Sequence, residues 1–202
     1  MTVPRRLNEL DMITAAYPTP GTIRQLGIYA RLLIAVVCCV AVVGTAQAET
    51  RREYLIKAAF LYNFATFVEW PTDAFTGADA PIVFCIDGDA AFEAANDALA
   101  DKSVNDRKIR VVKMKNITQP PICHILFLSA QNSGPILNRD RAITAHSTLI
   151  VSDRPEIAEI GGIVNLVIVD NRIRFDVNLP AARRARLQIS ARLLKLARSV
   201  TK

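Results

Sequence analysis

Three short stretches of the 202-residue chain carry side chains suited to chemistry: Asp87-Gly88-Asp89, Ser129 and Ser152-Asp153. Each follows an apolar, β-rich run, and parallel sheets gather ligands at the carboxyl ends of their strands. The carboxylates of Asp87 and Asp89 could hold a cation, but an Asp-Gly pair after a strand is far more commonly a plain turn. The two histidines, His124 and His146, are the obvious residues to weigh as general bases. His124 lies inside an apolar run and reads as a hydrogen-bonded core residue. His146 follows an expected helix, where its ring suits the C-terminal dipole. Neither has a sequence partner that would build a Ser-His-Asp arrangement. No glycine-rich phosphate loop, nucleophile elbow or paired-histidine metal motif occurs in the sequence. The chain is therefore expected to be no enzyme and to need no cofactor or metal.

Two arginines offer a different chemistry. Arg172 and Arg174 are two residues apart, so they share one face of a strand. Paired guanidinium groups can grip a phosphate or carboxylate, because each presents a planar fork of donors. Asp170 and Asp176 flank them, and weak surface ion pairs are the favoured reading. Further on, Arg183, Arg184, Arg186, Arg192, Lys195 and Arg198 surround an apolar stripe of Leu179, Leu187, Leu194 and Ala197, with Leu193 beside it. Such a segment could lie on an anionic membrane surface; an ordinary surface helix with a solvated basic side is favoured.

The N-terminal region sets the compartment. Residues 32–43, LLIAVVCCVAVV, form an uncharged apolar run, shorter than the roughly twenty residues a membrane-spanning helix needs. Arg24 and Arg31 precede it, and Ala46-Gln47-Ala48 follows with the small-x-small pattern of a signal-peptidase site. Residues 1–48 are expected to be a signal peptide cleaved after Ala48, with Met12 as an alternative start. An uncleaved signal anchor competes with that reading. A lipoprotein attached through Cys38 or Cys39 is weaker, since small residues do not lead into either. Residues 49–202 then remain as a single domain, at about 150 residues large enough for a proper core. The formal charge of +6 falls to +4, because the leader holds Arg5, Arg6, Arg24 and Arg31 against Glu9 and Asp11. So mild a charge does not by itself imply nucleic acid, and neither a nucleic-acid partner nor stable membrane insertion is expected. Cys85 and Cys123 survive cleavage, an even number in an oxidising compartment. Paired, they would close a loop of about 38 residues and stabilise the fold by roughly 4 kcal/mol; two lone buried thiols are the alternative.

The elements that must position these residues alternate between helix and strand. Residues 54–71 predict a helix ended by Pro71. Tyr54, Ala58, Leu61, Ala65 and Val68 form one stripe, and Leu55, Ala59, Phe60, Phe64 and Phe67 fill its flank and most of the opposite side. Only Lys57, Asn63, Thr66 and Glu69 interrupt it. A helix apolar nearly all round is buried on several sides or shows a patch to a partner; the core reading is favoured. Strands are expected at 81–86, 109–114, 122–128 and 148–151, and helices at 90–100, 133–145 and 154–160. A hairpin follows over 163–169 and 172–178, turned at Asp170-Asn171. A long amphipathic helix over 179–200 closes the chain. The order predicts a layered α/β/α sandwich with a mainly parallel sheet and the C-terminal hairpin as an antiparallel edge.

The run KAAFLYNFATFVEWP from Lys57 to Pro71 resembles the opening signature of the YfiR family of exported bacterial proteins. The resemblance continues through CHILFLS, GGIVNLVIVDNRIRFDVN and AARRARLQISARLLKLA, covering nearly all of 49–202 in the family's order. It implies a periplasmic, non-enzymatic α/β protein, often dimeric. Such a protein represses an inner-membrane diguanylate cyclase by binding the cyclase's periplasmic sensor domain. Redox or envelope stress releases the repression, and the output is cyclic-di-GMP and biofilm behaviour. Cys85 and Cys123 match one of the family's disulfide positions. The second cysteine pair of some members is absent, since residues 151–162 contain no cysteine. On this reading the first helix forms part of the partner surface or of a homodimer contact, with Tyr62, Phe67 and Trp70 as anchors. A small-anion-binding module using Arg172 and Arg174, serving another membrane receptor such as a sensor kinase, is the alternative.

Overall fold

The computed structural model describes residues 50–114, 122–130, 147–158 and 161–202. These belong to one compact unit, Ala48–Lys202. The expected signal peptide, the 133–145 helix and His146 lie outside the described residues.

The first helix, α1, is described over residues 50–67. Its stripe of Tyr54, Ala58, Leu61, Ala65 and Val68 is buried as expected, and Phe64 with it. The helix stops at residue 67 rather than running to Pro71. Val68–Glu69 instead forms a short strand, β1, paired antiparallel with Gln188–Ile189. Trp70 precedes a proline and is thereby biased toward extended backbone.

The main sheet begins with β2 (Ile82–Asp87) and α2 (Asp89–Leu99), followed by β3 (Ser103–Val104), β4 (Arg107–Lys113), β5 (Ile125–Leu128) and β6 (Leu149–Ser152). A 3-10 turn at Pro155–Ala158 precedes the hairpin of β7 (Val164–Val169) and β8 (Arg172–Asn178). Its turn residues Asp170 and Asn171 have φ of 49° and 56°, the left-handed pair that matches strand twist in a two-residue loop. Asn105 and Asp106 turn β3 into β4 in the same way, with φ of 47° and 65°. β3 was not legible in the sequence.

The expected helix over 179–200 is not one element. Asn178 caps α3 (Leu179–Arg184), its side chain accepting from the Ala181 amide at 3.0 Å. Arg186 then adopts φ of 57°, which ends helical propagation. β9 (Gln188–Ile189) pairs with β1, and the Ser190 hydroxyl caps α4 (Ala191–Leu196) by accepting from the Leu193 amide at 3.2 Å. β10 (Ser199–Thr201) finishes the chain, parallel to β8. The basic residues of this stretch therefore do not share one helical face.

The eight-stranded sheet has the order β10-β8-β7-β6-β5-β2-β4-β3. Only β7–β8 and β3–β4 pair antiparallel, so the chain is α/β with a mostly parallel sheet. The hairpin is not the edge, because β10 lies outside it. Alternation sorts side chains between two cores. Ile82, Phe84 and Ile86 of β2 and Ile125 and Phe127 of β5 join α1, α2, α3 and Leu193 in the larger cluster. Val83, Cys85, Leu126, Leu128 and Ile150 face the smaller one, with Met114, Cys123 and Ile157. There Cys85 and Cys123 form a disulfide, their Cα atoms 5.8 Å apart.

Candidate functional site

The three stretches singled out for chemistry converge. Asp87 ends β2, Ser129 follows β5, and Ser152 and Asp153 lie at the end of β6, which places them along one rim of three adjacent parallel strands. The N-terminal half of α1 lies against this rim. Lys57, expected as a polar interruption, is only 4% exposed, and its ammonium bridges Glu53 one turn back and Asp153 across the fold. The second carboxylate oxygen of Asp153 accepts from the Ala130 amide at 2.6 Å. Tyr54 and Ser129 share a buried hydrogen bond of 2.5 Å between hydroxyls.

Arg154, buried and not singled out in the sequence, completes the cluster. Its Nε donates to the Ser129 carbonyl at 2.8 Å, and its Nη2 lies 3.5 Å from Asp87 Oδ2. Ser152 donates to the Leu128 carbonyl at 2.7 Å while its oxygen accepts from the Arg154 amide at 3.0 Å. Gly88 lets β2 turn close to this knot. Its φ is 104°, and a Cβ there would meet Ser129 Cβ at 3.0 Å, so both backbone and space select glycine.

The electrostatics lock these groups. Burial acts to lower the Lys57 pKa, but hydrogen bonds to Asp153 and Glu53 outweigh it and hold the ammonium above its ordinary value. Burial raises the Tyr54 phenol, against the opposing hydrogen bond to Ser129. Neither group is poised as a base or nucleophile near neutral pH, which requires a pKa shifted the other way. Among the described residues no group of His, Cys, Asp and Glu is arranged to hold a metal. At the position where an open α/β sheet usually receives a ligand, the polar side chains are held by one another, and a cleft of ≈ 520 Å³ lined by Glu53, Lys57, Ala130 and Asp153 opens beside them.

His124 is the core residue the sequence indicated. Its Nδ1 accepts from the Val83 amide at 3.0 Å, and Nε2 lies 3.1 Å from the Ala74 carbonyl, which it must donate to. The ring stacks on Phe75 at 4.3 Å between centroids. Burial, opposed by the Ala74 bond and aided by the Arg107 charge, lowers its pKa to about 4. The unfolded chain therefore binds a proton near pH 6.5 that the fold refuses until about pH 4. This contribution is complete above pH 6.5 and lost as pH falls through that window, for roughly 3 kcal/mol in all. Urea titrations of the wild type and His124→Asn at pH 7.5, 5.5 and 4.5 check it. The difference between the two proteins should narrow with acid; a constant difference would contradict the burial argument.

The remaining site residues are dispersed. Arg172 and Arg174 project from one face of β8 and are exposed. The ion pairs expected with Asp170 and Asp176 are not made: Arg198 takes Asp176 through two bonds, one of 2.8 Å. Neither arginine forms an ion pair among the described residues. They line a cleft of ≈ 490 Å³ with Lys195, Leu196 and Arg198. Tyr62, Phe67 and Trp70 are half-buried against the larger core. Tyr62 donates to the Ser103 carbonyl at 3.3 Å, the Arg192 guanidinium lies 5.8 Å from the Phe67 ring centre, and Trp70 sets its edge on His124. They touch different elements, and each keeps part of its side chain accessible.

No helix among the described residues is long and apolar enough to cross a membrane. One similar solved structure is a conserved domain protein from Vibrio cholerae O1 biovar El Tor, 11% identical with a TM-score of 0.40. The match covers 59% of this chain and only 54% of that one, which carries no functional argument. Residues 54–198, from the start of the α1 stripe through Arg198, match the YfiR/HmsC-like family. With that match spanning both cores and the locked rim, the chain belongs to the YfiR/HmsC-like family of periplasmic regulatory proteins.

Proposed function

We propose that the protein represses an inner-membrane diguanylate cyclase by binding its periplasmic sensor domain, so that envelope or redox state controls cyclic-di-GMP. The family match over 54–198 carries this reading. The pairing of the rim side chains with one another, with neither Lys57 nor Tyr54 shifted toward a base at neutral pH, is compatible with action by binding. Repression without catalysis requires tighter binding to the inactive state of the target than to the active one.

The outer edges of Tyr62, Phe67 and Trp70 are the proposed contact, serving the cyclase or a second copy of this chain. Phe67→Asp should weaken binding to the sensor domain about 30-fold, the loss of a hot-spot anchor, while leaving a soluble, cooperatively folding protein. Sedimentation and thermal unfolding report the fold, and cellular cyclic-di-GMP reports repression. Normal repression by a folded Phe67→Asp protein would sink the contact; unfolding would assign Phe67 to the core. A second reading, a small-anion-binding module serving another receptor such as a sensor kinase, draws on Arg172 and Arg174, which form no ion pair among the described residues.

A further inference from the structure

We infer that the cleft between β8 and α4 is a binding site for a small ligand carrying two acidic groups on a compact body, such as a diphosphate or a polycarboxylate. The inference rests on the anion-binding reading and is independent of the cyclase reading. From the hairpin it is lined by Val169, Asp170, Arg172 and Arg174, and from the end of α4 by Lys195, Leu196 and Arg198. β10 lies beside only Asp176–Asn178 of β8, so the outer edge of the strand next to both arginines is uncovered by a neighbouring strand.

Charge and spacing select the ligand. Arg198 is already held by Asp176, which leaves Arg172, Arg174 and Lys195 against one carboxylate, Asp170. Three cations against one anion leave two positive charges in a concave surface, where fields are focused. The two arginines stand about 7 Å apart along the strand. That distance matches two acidic groups better than one, each taken by a separate guanidinium fork. Lys195 adds a third donor as a compact point charge. Leu196, 63% exposed, offers an apolar edge against which the ligand's body can rest.

Thermal unfolding and calorimetry of the purified protein with pyrophosphate and citrate test this, with acetate and chloride at matched ionic strength as controls. A saturable rise in Tm of about 5 °C is expected at a hundredfold excess over Kd. Arg172→Gln and Arg174→Gln should each weaken binding about tenfold, and together abolish it. Both keep polar stems at exposed positions, and their unliganded Tm should stay within 1–2 °C of wild type, roughly the scale of surface changes. Arg110→Gln, on β4 at the far side of the sheet, should bind as wild type does. The site is refuted by an equal response to acetate at matched ionic strength, by no saturable shift, or by unchanged affinity in the double variant. Retained cyclase repression by a double variant that has lost the ligand would leave the two roles separate.

Discussion

Replacing Cys85 and Cys123 together by alanine is expected to lower the unfolding free energy by about 4 kcal/mol and Tm by on the order of 10 °C. The bond closes a sequence separation of 38 residues, and the loop it closes contains α2, β3 and β4. Cross-linking its ends removes open conformations from the unfolded chain, so most of the effect lies in that state rather than in native contacts. A second readout follows. Without the bond the unfolded chain expands and exposes more surface, so the urea m-value should rise along with the fall in stability. A loss below about 1 kcal/mol, or one with an unchanged m-value, would place the bond's contribution in native packing instead. Both cysteines are buried in the smaller core. A reductant must therefore await local opening, and reduction of the native protein should be slow and accelerate with urea.

What was legible in the sequence follows from how local its cause is. β2, β5 and β6 are continuous apolar runs bounded by turn residues, and the hairpin is announced by Asp170-Asn171; all four features are present, with β5 starting at Ile125, three residues into its run. The last 24 residues misled because their apolar stripe fits one long helix equally well. Asn178 and Ser190 are both cap residues, and the second is a stop-and-restart signal in the middle of the pattern. Arg186 gives no such warning, since nothing in its type announces left-handed backbone. The shortening of α1 is a tertiary effect: Val68 and Glu69 pair with residues about 120 positions away.

The rim was half visible. Asp87, Ser129, Ser152 and Asp153 are marked by their place after strands, whereas Lys57 reads as a polar interruption. Its position argued otherwise. It sits three residues from Tyr54 and four from Leu61, on the stripe itself, with Glu53 one turn back. A lysine there must find a carboxylate or leave the core. Arg154 carried no signal, because its partners Ser129 and Asp87 come from other strands.

That buried lysine sets the other large effect. Asp153→Ala should cost about 3–5 kcal/mol, the penalty of leaving a buried charge without its partner. The Lys57 and Asp153 side chains are 5% and 8% exposed, and Glu53, at 35%, is too solvated to compensate fully. The same change removes the acceptor of the Ala130 amide, which is exposed and can turn to water instead. Lys57→Met alone should be nearly as harmful, since it strands Asp153. Lys57→Met with Asp153→Leu should recover most of the loss, because a well-packed apolar pair often equals a buried ion pair. Near-additive single changes in that double-mutant cycle, measured by urea denaturation, would show that the two charges do not act as a unit. The raised Lys57 pKa fixes the pH sense: its contribution is complete below its unfolded value of 10.5 and is lost only as pH rises through the higher folded value. The pair ties the first turns of α1 to the end of β6, whereas Phe67 lies at the opposite end of that helix. Asp153→Ala should therefore impair the proposed repression only as far as it unfolds the protein, and added osmolyte should restore both together. Phe67→Asp should lose repression with the fold intact, and osmolyte should not rescue it.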